Sequence, residues 1–212
     1  LLAYMLGFSL AYQGLGAGIG ALILFGVVQL TMFAGAAHQG DRPSGPAVQG
    51  ALLGLLGLVV VLWPRDAVVD VPMWAAGFMI MAGVGWGVFS LAGKAAKTPL
   101  ATTFRAFLAC LPVMLLVALV RGFTAPDPVG LVYAALSGTV MSGLGYTLWY
   151  ALLPRIATTS AALAQLTVPL IAMLGGVILL DETVGLTFVI GSALVLGGVF
   201  WPLWRRRQHA SS

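Results

Sequence analysis

Charged residues are scarce in this chain. Only 8% of its 212 residues are charged, whereas 60% are hydrophobic, and soluble domains carry about 25% charged residues. A water-soluble fold of this length could not bury so much apolar surface. The composition therefore excludes a soluble globular protein and predicts an all-α integral membrane protein with the lipid bilayer as its solvent.

Groups that could carry catalysis or ion relay are missing from the apolar segments. All six acidic residues lie between these segments, which argues against an intramembrane carboxylate relay. Cys110 is the single cysteine, so an internal disulfide is excluded. There is no glycine-rich nucleotide loop with lysine and no His/Cys/Asp cluster with metal spacing. The sequence thus predicts no enzyme, no catalytic residue, no cofactor and no metal.

The chain contains eight apolar segments in succession, and short connecting segments rich in glycine and proline separate them. A helix needs about 20 residues to span the bilayer core, and the first segment is too short for that. Such short connections make each helix antiparallel to the previous one. The segments cover residues 1–13, 18–38, 46–63, 72–93, 99–121, 129–152, 157–180 and 184–204.

The basic residues lie mostly in the connections, so the formal charge of +4 indicates membrane orientation and no nucleic-acid partner. Lys and Arg are enriched on the cytoplasmic side of membrane proteins. Only one alternation of the segments gathers most of the basic residues on one side, and it places the C-terminal tail, 206–212, in the cytoplasm. That side then holds Arg42, Lys94, Lys97, Arg155 and the run 205–207.

The two ends of the chain resemble one another. Residues 6–12 (LGFSLAY) match 144–150 (LGYTLWY), 29–31 (QLT) match 165–167 (QLT), and 63–64 (WP) match 201–202 (WP), at an offset near 138 residues. This offset corresponds to five segments, and an odd period inverts the second copy, as in many secondary transporters. We therefore predict a ten-helix bundle of two inverted five-helix repeats. In this prediction residues 1–64 are the C-terminal part of the first repeat and 72–205 the complete second repeat, and two helices and the start of a third are expected to be missing before Leu1. The alternative is a natural chain of eight segments.

Several motifs resemble EamA-type members of the drug/metabolite transporter superfamily. Residues 166–182 (LTVPLIAMLGGVILLDE) resemble the penultimate helix of these proteins, and 145–152 (GYTLWYAL) resemble the eighth. Residues 104–109 (FRAFLA) and 40–43 (GDRP) resemble further motifs, although Asp41 replaces the usual Glu and Phe33 stands where the second copy has Pro169. The resemblance implies a ten-helix inner-membrane transporter of small metabolites with both termini cytoplasmic.

Polar groups inside membrane helices are costly and therefore informative. Gln29 and Gln165 are equivalent under the repeat, and we expect the two amides to face each other across the pseudo-twofold axis and contact the substrate. The alternative is that they only join helices. Thr31 and Thr167 are weaker candidates, because threonine can bond to its own helix backbone.

The other candidates are one cation, three aromatic residues and a possible hinge. Arg105 lies about 9 Å into its helix at 1.5 Å per residue; it either snorkels to the surface or attracts an anionic group. Tyr12 and Tyr146 are predicted cavity walls, with an interfacial aromatic belt as the alternative, and Trp86, which lies deeper in its segment, is a further candidate wall. The bend expected for alternating access comprises Pro169, Gly175 and Gly176.

These features predict a secondary transporter that moves a small metabolite by alternating access, with efflux of an amino acid or a related amphipathic compound favoured. The alternatives are a sugar-phosphate or nucleotide-sugar carrier of the same superfamily and a non-transporting membrane scaffold. Anionic cargo would require more than one cavity cation, and Arg105 is the single candidate. The oligomeric state stays open, a monomer included.

Overall fold

Helices make up all the regular secondary structure in the described part of the chain. The computed structural model describes residues 1–63, 71–122, 127–180 and 185–210. The helices are α1 (Leu2–Ala11), α2 (Ala17–His38), α3 (Gly45–Leu62), α4 (Met73–Gly93), α5 (Pro99–Arg121), α6 (Pro128–Leu136), α7 (Gly145–Leu152), α8 (Thr158–Gln165), α9 (Val168–Leu180) and α10 (Leu186–Ala210). A π-helical segment, Ser137–Leu144, joins α6 to α7, and a 3₁₀ turn, Leu153–Arg155, follows α7.

Six stretches of the described chain are long and apolar enough to cross a membrane, which confirms the predicted all-α membrane class. They are Ala17–His38, Gly45–Leu62, Met73–Gly93, Pro99–Val120, Pro128–Arg155 and Thr158–Gly175. Two further apolar helices, Leu2–Ala11 and Leu186–Pro202, are shorter. The predicted arrangement of ten helices in two inverted repeats stays a prediction.

The bounds of α2 to α5 agree with the sequence prediction to within one residue at each end, because proline and glycine mark them. Pro46 and Pro99 lie in the first turns of α3 and α5, where the missing N–H leaves no hydrogen bond unmade. Gly122 follows α5 with φ of +81°, a left-handed conformation that glycine adopts without strain.

The predicted segment 157–180 is two helices rather than one bent helix. Helix α8 ends at Gln165 and α9 begins at Val168. Pro169 lies in the first turn of α9 and has no N–H to donate to the carbonyl of Gln165, so the ladder of the first helix cannot continue through it. The Thr167 hydroxyl donates to the carbonyl of Ala164 at 2.7 Å, which adds a second donor to the backbone N–H of Thr167 at 3.1 Å.

The predicted segment 129–152 is also irregular. Its centre is π-helical from Ser137 to Leu144, where Gly138 and Gly143 provide little helix propensity. Thr139 and Thr147 donate to carbonyls four residues earlier at 2.7 Å each. Wide π turns often mark functional segments, and this one leads directly into α7.

The chain divides into two compact units. The smaller unit contains residues 1–2 and 89–156, and the larger unit contains residues 3–88 and 157–212. In the smaller unit α5 packs against α7. In the larger unit α2 packs against α3 and α8, and α3 packs against α10. The apolar core of the larger unit comprises Ala47, Ala51, Leu58, Leu163, Leu166, Leu170 and Val195.

Helices α3 and α10 approach each other through glycine. A Cβ built on Gly198 would lie 2.7 Å from the backbone N of Gly54 and even closer to the carbonyl of Gly50. A Cβ on Gly57 would lie 2.7 Å from the carbonyl of Gly191. Small residues allow such close backbone contact, which drives helix association in membranes, where apolar side chains gain little from leaving lipid.

We predict that Gly198→Ala destabilises the protein, because the new methyl group meets backbone atoms that cannot move aside. Overpacking of this kind costs about 1–3 kcal/mol, and each kcal/mol lowers Tm by about 2–4 °C in a chain of this size. The measurement is thermal unfolding of both proteins in detergent. Gly197→Ala is the control, because its Cβ would meet only the Leu53 side chain, at 3.7 Å; equal melting of the two variants would contradict the contact.

Candidate functional site

Both ends of the Gln165 side-chain amide make hydrogen bonds, which distinguishes Gln165 from Gln29. Gln165 ends α8, in the larger unit, and only 5% of its surface is exposed. Its Oε1 accepts a hydrogen bond from the indole N–H of Trp86. Its Nε2 lies 2.8 Å from the Sδ of Met32 and 3.5 Å from the carbonyl of Ala161. The amide therefore joins α8 to α4 and to α2.

The bonds of Gln165 differ in strength at its two ends. An indole N–H is a good donor, whereas a thioether sulfur is a weak acceptor and the contact to Ala161 is at the limit of hydrogen-bond length. The Oε1 end is thus firmly held by the indole. The N–H end is held weakly and can exchange its partner for a better acceptor at little cost.

Trp86, which donates to the Gln165 amide, also contacts a row of aromatic rings that begins on α1. Its indole lies 4.9 Å from the ring of Tyr4, which is followed by Phe8 at 5.4 Å and Tyr12 at a further 4.7 Å. Spacing of four residues places Tyr4 and Phe8 on one face of α1, and Tyr12 directly follows the last residue of this helix. Gly85 makes the approach possible, since a Cβ there would lie 2.8 Å from the backbone N of Tyr4.

Tyr12 lies at the end of this row. Its hydroxyl donates to the carbonyl of Ala17 at 3.4 Å, so it joins the end of α1 to the start of α2. The predicted role of Tyr12 as a cavity wall stays a prediction, but the structure does place it in one continuous aromatic row with Trp86.

Gln29 is buried on α2, one turn before Met32. It is 3% exposed, and neither its Nε2 nor its Oε1 has a hydrogen-bond partner in the described part of the chain. Its spacing places it on one face with Leu22, Phe25 and Phe33, which pack against the core of the larger unit. The structure joins Gln165 to Met32, one turn further along α2, and records no bond between the two amides. That they face each other across a pseudo-twofold axis stays a prediction.

Both predicted threonines bond to their own helices. The Thr31 hydroxyl donates to the carbonyl of Val27 at 2.8 Å, and its methyl group packs against Gly87. Thr167 donates to Ala164, as described above. These local bonds are the alternative that the sequence left open for threonine.

Tyr146 belongs to the smaller unit, where it stacks on Phe107 with ring centroids 5.8 Å apart and an interplanar angle of 17°. Phe89 lies 6.2 Å away. The hydroxyl of Tyr150 fixes α7 to the end of α4 by donating to the carbonyl of Phe89 at 2.8 Å, and the Trp149 indole donates to the Ser90 hydroxyl at 3.1 Å. The ring of Tyr146 is thus held in a fixed aromatic cluster.

Arg105 is exposed on α5, which is compatible with both of its predicted roles. Pro169 is buried in α9, beside the break, whereas a Cβ on Gly175 would meet open space. Gly176 lies one residue further along α9. No group of three or more His, Cys, Asp or Glu side chains in the described residues could hold a metal ion.

Sequence reasoning missed three residues that contact or neighbour these side chains. Met32 and Phe107 read as ordinary apolar residues, although Met32 lies one turn after Gln29 on a buried face. Thr103 is 2% exposed and its hydroxyl has no partner among the described residues. It lies one turn before Phe107, and the motif FRAFLA drew attention only to its arginine.

Comparison with known proteins gives one family match. Residues 73–204, which include Trp86, Arg105, Tyr146 and Gln165, match the profile of the EamA-like transporter family. The chain is 40% identical over its full length to an uncharacterized protein of Pseudomonas aeruginosa, of which it covers 73%. It is also similar to proteins named probable amino-acid metabolite efflux pumps. The sequence identity to the Escherichia coli K12 protein is 27%, over 94% of this chain and 73% of that protein. The sequence identity to the Salmonella typhimurium protein is 25%, over 88% of this chain and 67% of that protein.

A known crystal structure has the same fold. It superimposes with a TM-score of 0.84 over 97% of this chain and 73% of its own, at 20% sequence identity. At that identity the likeness concerns the fold alone.

We predict that Trp86→Phe and Gln165→Leu are each destabilising but strongly non-additive. Each single change leaves a buried polar atom without its partner, which costs about 1–3 kcal/mol, whereas removing both partners is close to neutral. The measurement is a double-mutant cycle of unfolding free energies in detergent. Trp74→Phe is the control, because Trp74 is half exposed; a cycle in which the two changes simply add would contradict the bond.

Proposed function

This chain belongs to the EamA-like transporter family, and on that premise we propose that it exports an amino acid or a related amphipathic metabolite across the bacterial inner membrane by alternating access. Its membership makes it an integral membrane transporter of the drug/metabolite transporter superfamily. The substrate class, the direction and the residues that bind are the proposal, and they rest on the following observations.

The weakly held N–H end of Gln165 carries the proposal. The two N–H groups of its Nε2 donate to the thioether of Met32 and, at 3.5 Å, to the carbonyl of Ala161. A carboxylate oxygen or a closer carbonyl oxygen would be a better acceptor for these N–H groups. Hydrogen bonds to ionised acceptors are about twice as strong as neutral ones. Gln165 can therefore release Met32 and bind the carboxylate of an amino acid, while Trp86 keeps the amide in orientation through Oε1.

The aromatic row supplies the apolar part of the same site. Trp86 donates to the Gln165 amide, and the Tyr4 ring contacts Trp86 at 4.9 Å. Binding sites for small molecules are mostly apolar walls with a few polar groups that fix orientation. An amide bonded to the first ring of an aromatic row thus matches a compound with one polar end and one apolar end.

The charge distribution weighs against a sugar-phosphate or nucleotide-sugar cargo. Phosphate groups are bound by arginine and lysine clusters. Arg105 is the only basic residue placed well inside a predicted span, and it is exposed on α5. An amide can recognise a neutral or zwitterionic molecule without such a cluster.

The interruption between α8 and α9 is a point at which the two helices can change their angle, as alternating access requires. Interrupted helices near the bilayer midplane form the binding sites of many secondary transporters. Gln165 is the last residue of α8, and Pro169 lies in the first turn of α9. A change of angle at Leu166–Thr167 would move the amide relative to α9, with Gly175 and Gly176 as a second point of bending. The names of the two similar efflux pumps support the amino-acid class and the outward direction.

We expect Gln165→Ala to lower kcat/KM for amino-acid counterflow in proteoliposomes by roughly tenfold to hundredfold, since a hydrogen bond to a charged group contributes about 1.5–3 kcal/mol. Thermal melting of each variant separates binding from folding. Gln39→Ala, in the exposed turn after α2, removes the same group away from the site and should transport normally. Wild-type transport by Gln165→Ala, or counterflow of sugar phosphates alone, would overturn the proposal.

The orientation has its own test, which is independent of the substrate. The positive-inside pattern predicts a cytoplasmic C-terminus, so a fusion to green fluorescent protein after residue 212 should fluoresce and a fusion to alkaline phosphatase should be inactive. The reverse pattern would contradict the orientation.

A further inference from the structure

A cluster of two indoles and one guanidinium lies near the C-terminal end of α10. The Arg205 guanidinium carbon lies 4.9 Å from the centre of the Trp201 ring, and the Trp204 ring lies 5.9 Å from that of Trp201. The indole N–H of Trp201 donates to Oε1 of Gln49, on α3, at 3.2 Å. We call these four residues the indole–guanidinium cluster. The transport site proposed above uses none of them.

The charge of this cluster is not compensated within the described chain. The described carboxylates are Asp41 and Asp127, and Asp127 accepts a hydrogen bond from the N–H of Gly130, at the start of α6. No ion pair to Arg205 is found among the described residues, and its guanidinium has only the face of Trp201. Arg206 and Arg207 follow in the sequence. The helix end therefore offers positive charge to an anionic ligand.

An apolar stripe leads away from the cluster along α10. Four-residue spacing places Leu196, Phe200 and Trp204 on one face of this helix, and their side chains are 43%, 60% and 55% exposed. A ligand held by Arg205, which follows Trp204 in the sequence, would therefore have apolar side chains within reach in the direction of the membrane interior.

We propose that the indole–guanidinium cluster binds the headgroup of an anionic phospholipid. Tryptophan prefers the level of the headgroups, where its ring is apolar and its N–H is polar. Arginine near a membrane surface is attracted to anionic lipid, and its planar fork suits phosphate oxygens. Gln49 fixes the Trp201 ring, and that ring positions the guanidinium through the cation–π contact. The acyl chains lie along Phe200 and Leu196, on the face of α10 that carries Trp204.

A phospholipid fits these observations better than a free phosphate ion. Both carry the phosphate that Arg205 would bind, but only the lipid also covers the exposed apolar residues Leu196 and Phe200 of α10. Binding at this cluster does not depend on the proposed transport activity, and the two are measured separately.

The test is native mass spectrometry of the full chain released from micelles containing equal amounts of phosphatidylglycerol and phosphatidylcholine. The wild type should retain phosphatidylglycerol preferentially. Arg205→Gln should lower that retention about fivefold, the factor for one basic residue near a membrane surface. Trp201→Leu should lower it as well, because the guanidinium loses the ring that positions it. Thermal melting shows whether each variant is folded.

The control is Arg155→Gln, which removes the same charge from an exposed arginine that donates to the carbonyl of Ala151. It should retain phosphatidylglycerol like the wild type. Equal loss in both arginine variants would mean a general charge effect, and displacement of the lipid by inorganic phosphate at matched ionic strength would mean a free-anion site. Either result overturns the proposal, as does unchanged retention in Arg205→Gln.

Discussion

In the bilayer interior a backbone N–H or C=O has no water to bind, so each must find a partner within the protein. This constraint makes the described chain helical. It also determines how helices are interrupted. At the break between α8 and α9, Thr167 supplies a hydroxyl to a carbonyl, and around the π-helical segment Thr139 and Thr147 do the same. The chain departs from regular helix where proline or glycine disturbs the ladder and short hydroxyl side chains lie nearby.

The same low-polarity environment makes side-chain hydrogen bonds and close backbone contacts the main source of specificity. Apolar side chains have about the same free energy in lipid as in the protein core, so helices associate through close packing and polar contacts. In the larger unit, glycines bring α3 against α10 and bring α4 against α1 and α2. The Gln165 amide then joins α8 to α4 and α2. Close packing brings the helices together, and one amide links three of them at a defined point.

Gln165 and Gln29 show why residues in matching sequence motifs need not act alike. Both are buried amides at matching positions in the sequence. Gln165 lies at a helix end, where it reaches Trp86 and Met32, whereas Gln29 lies within a continuous helix on a face of Leu22, Phe25 and Phe33. The Gln29 amide has no partner among the described residues, which costs free energy, whereas the weakly paired N–H of Gln165 can exchange partners. An amide with an exchangeable partner suits a site that binds and releases cargo.

The sequence by itself determined the membrane class, the bounds of α2 to α5 and the transporter family, because these depend on composition, on helix-ending residues and on local motifs. It also identified Gln165 and Trp86 separately, since polar and aromatic groups inside spans are rare and costly. Only the tertiary structure decided that these two side chains bond, that Met32 is the third partner, and that Phe107 stacks on Tyr146. Such contacts join residues as far as 133 positions apart, and their geometry depends on which glycines let the helices approach. Helical periodicity assigns a residue to a face, but it does not assign the neighbour that the face meets.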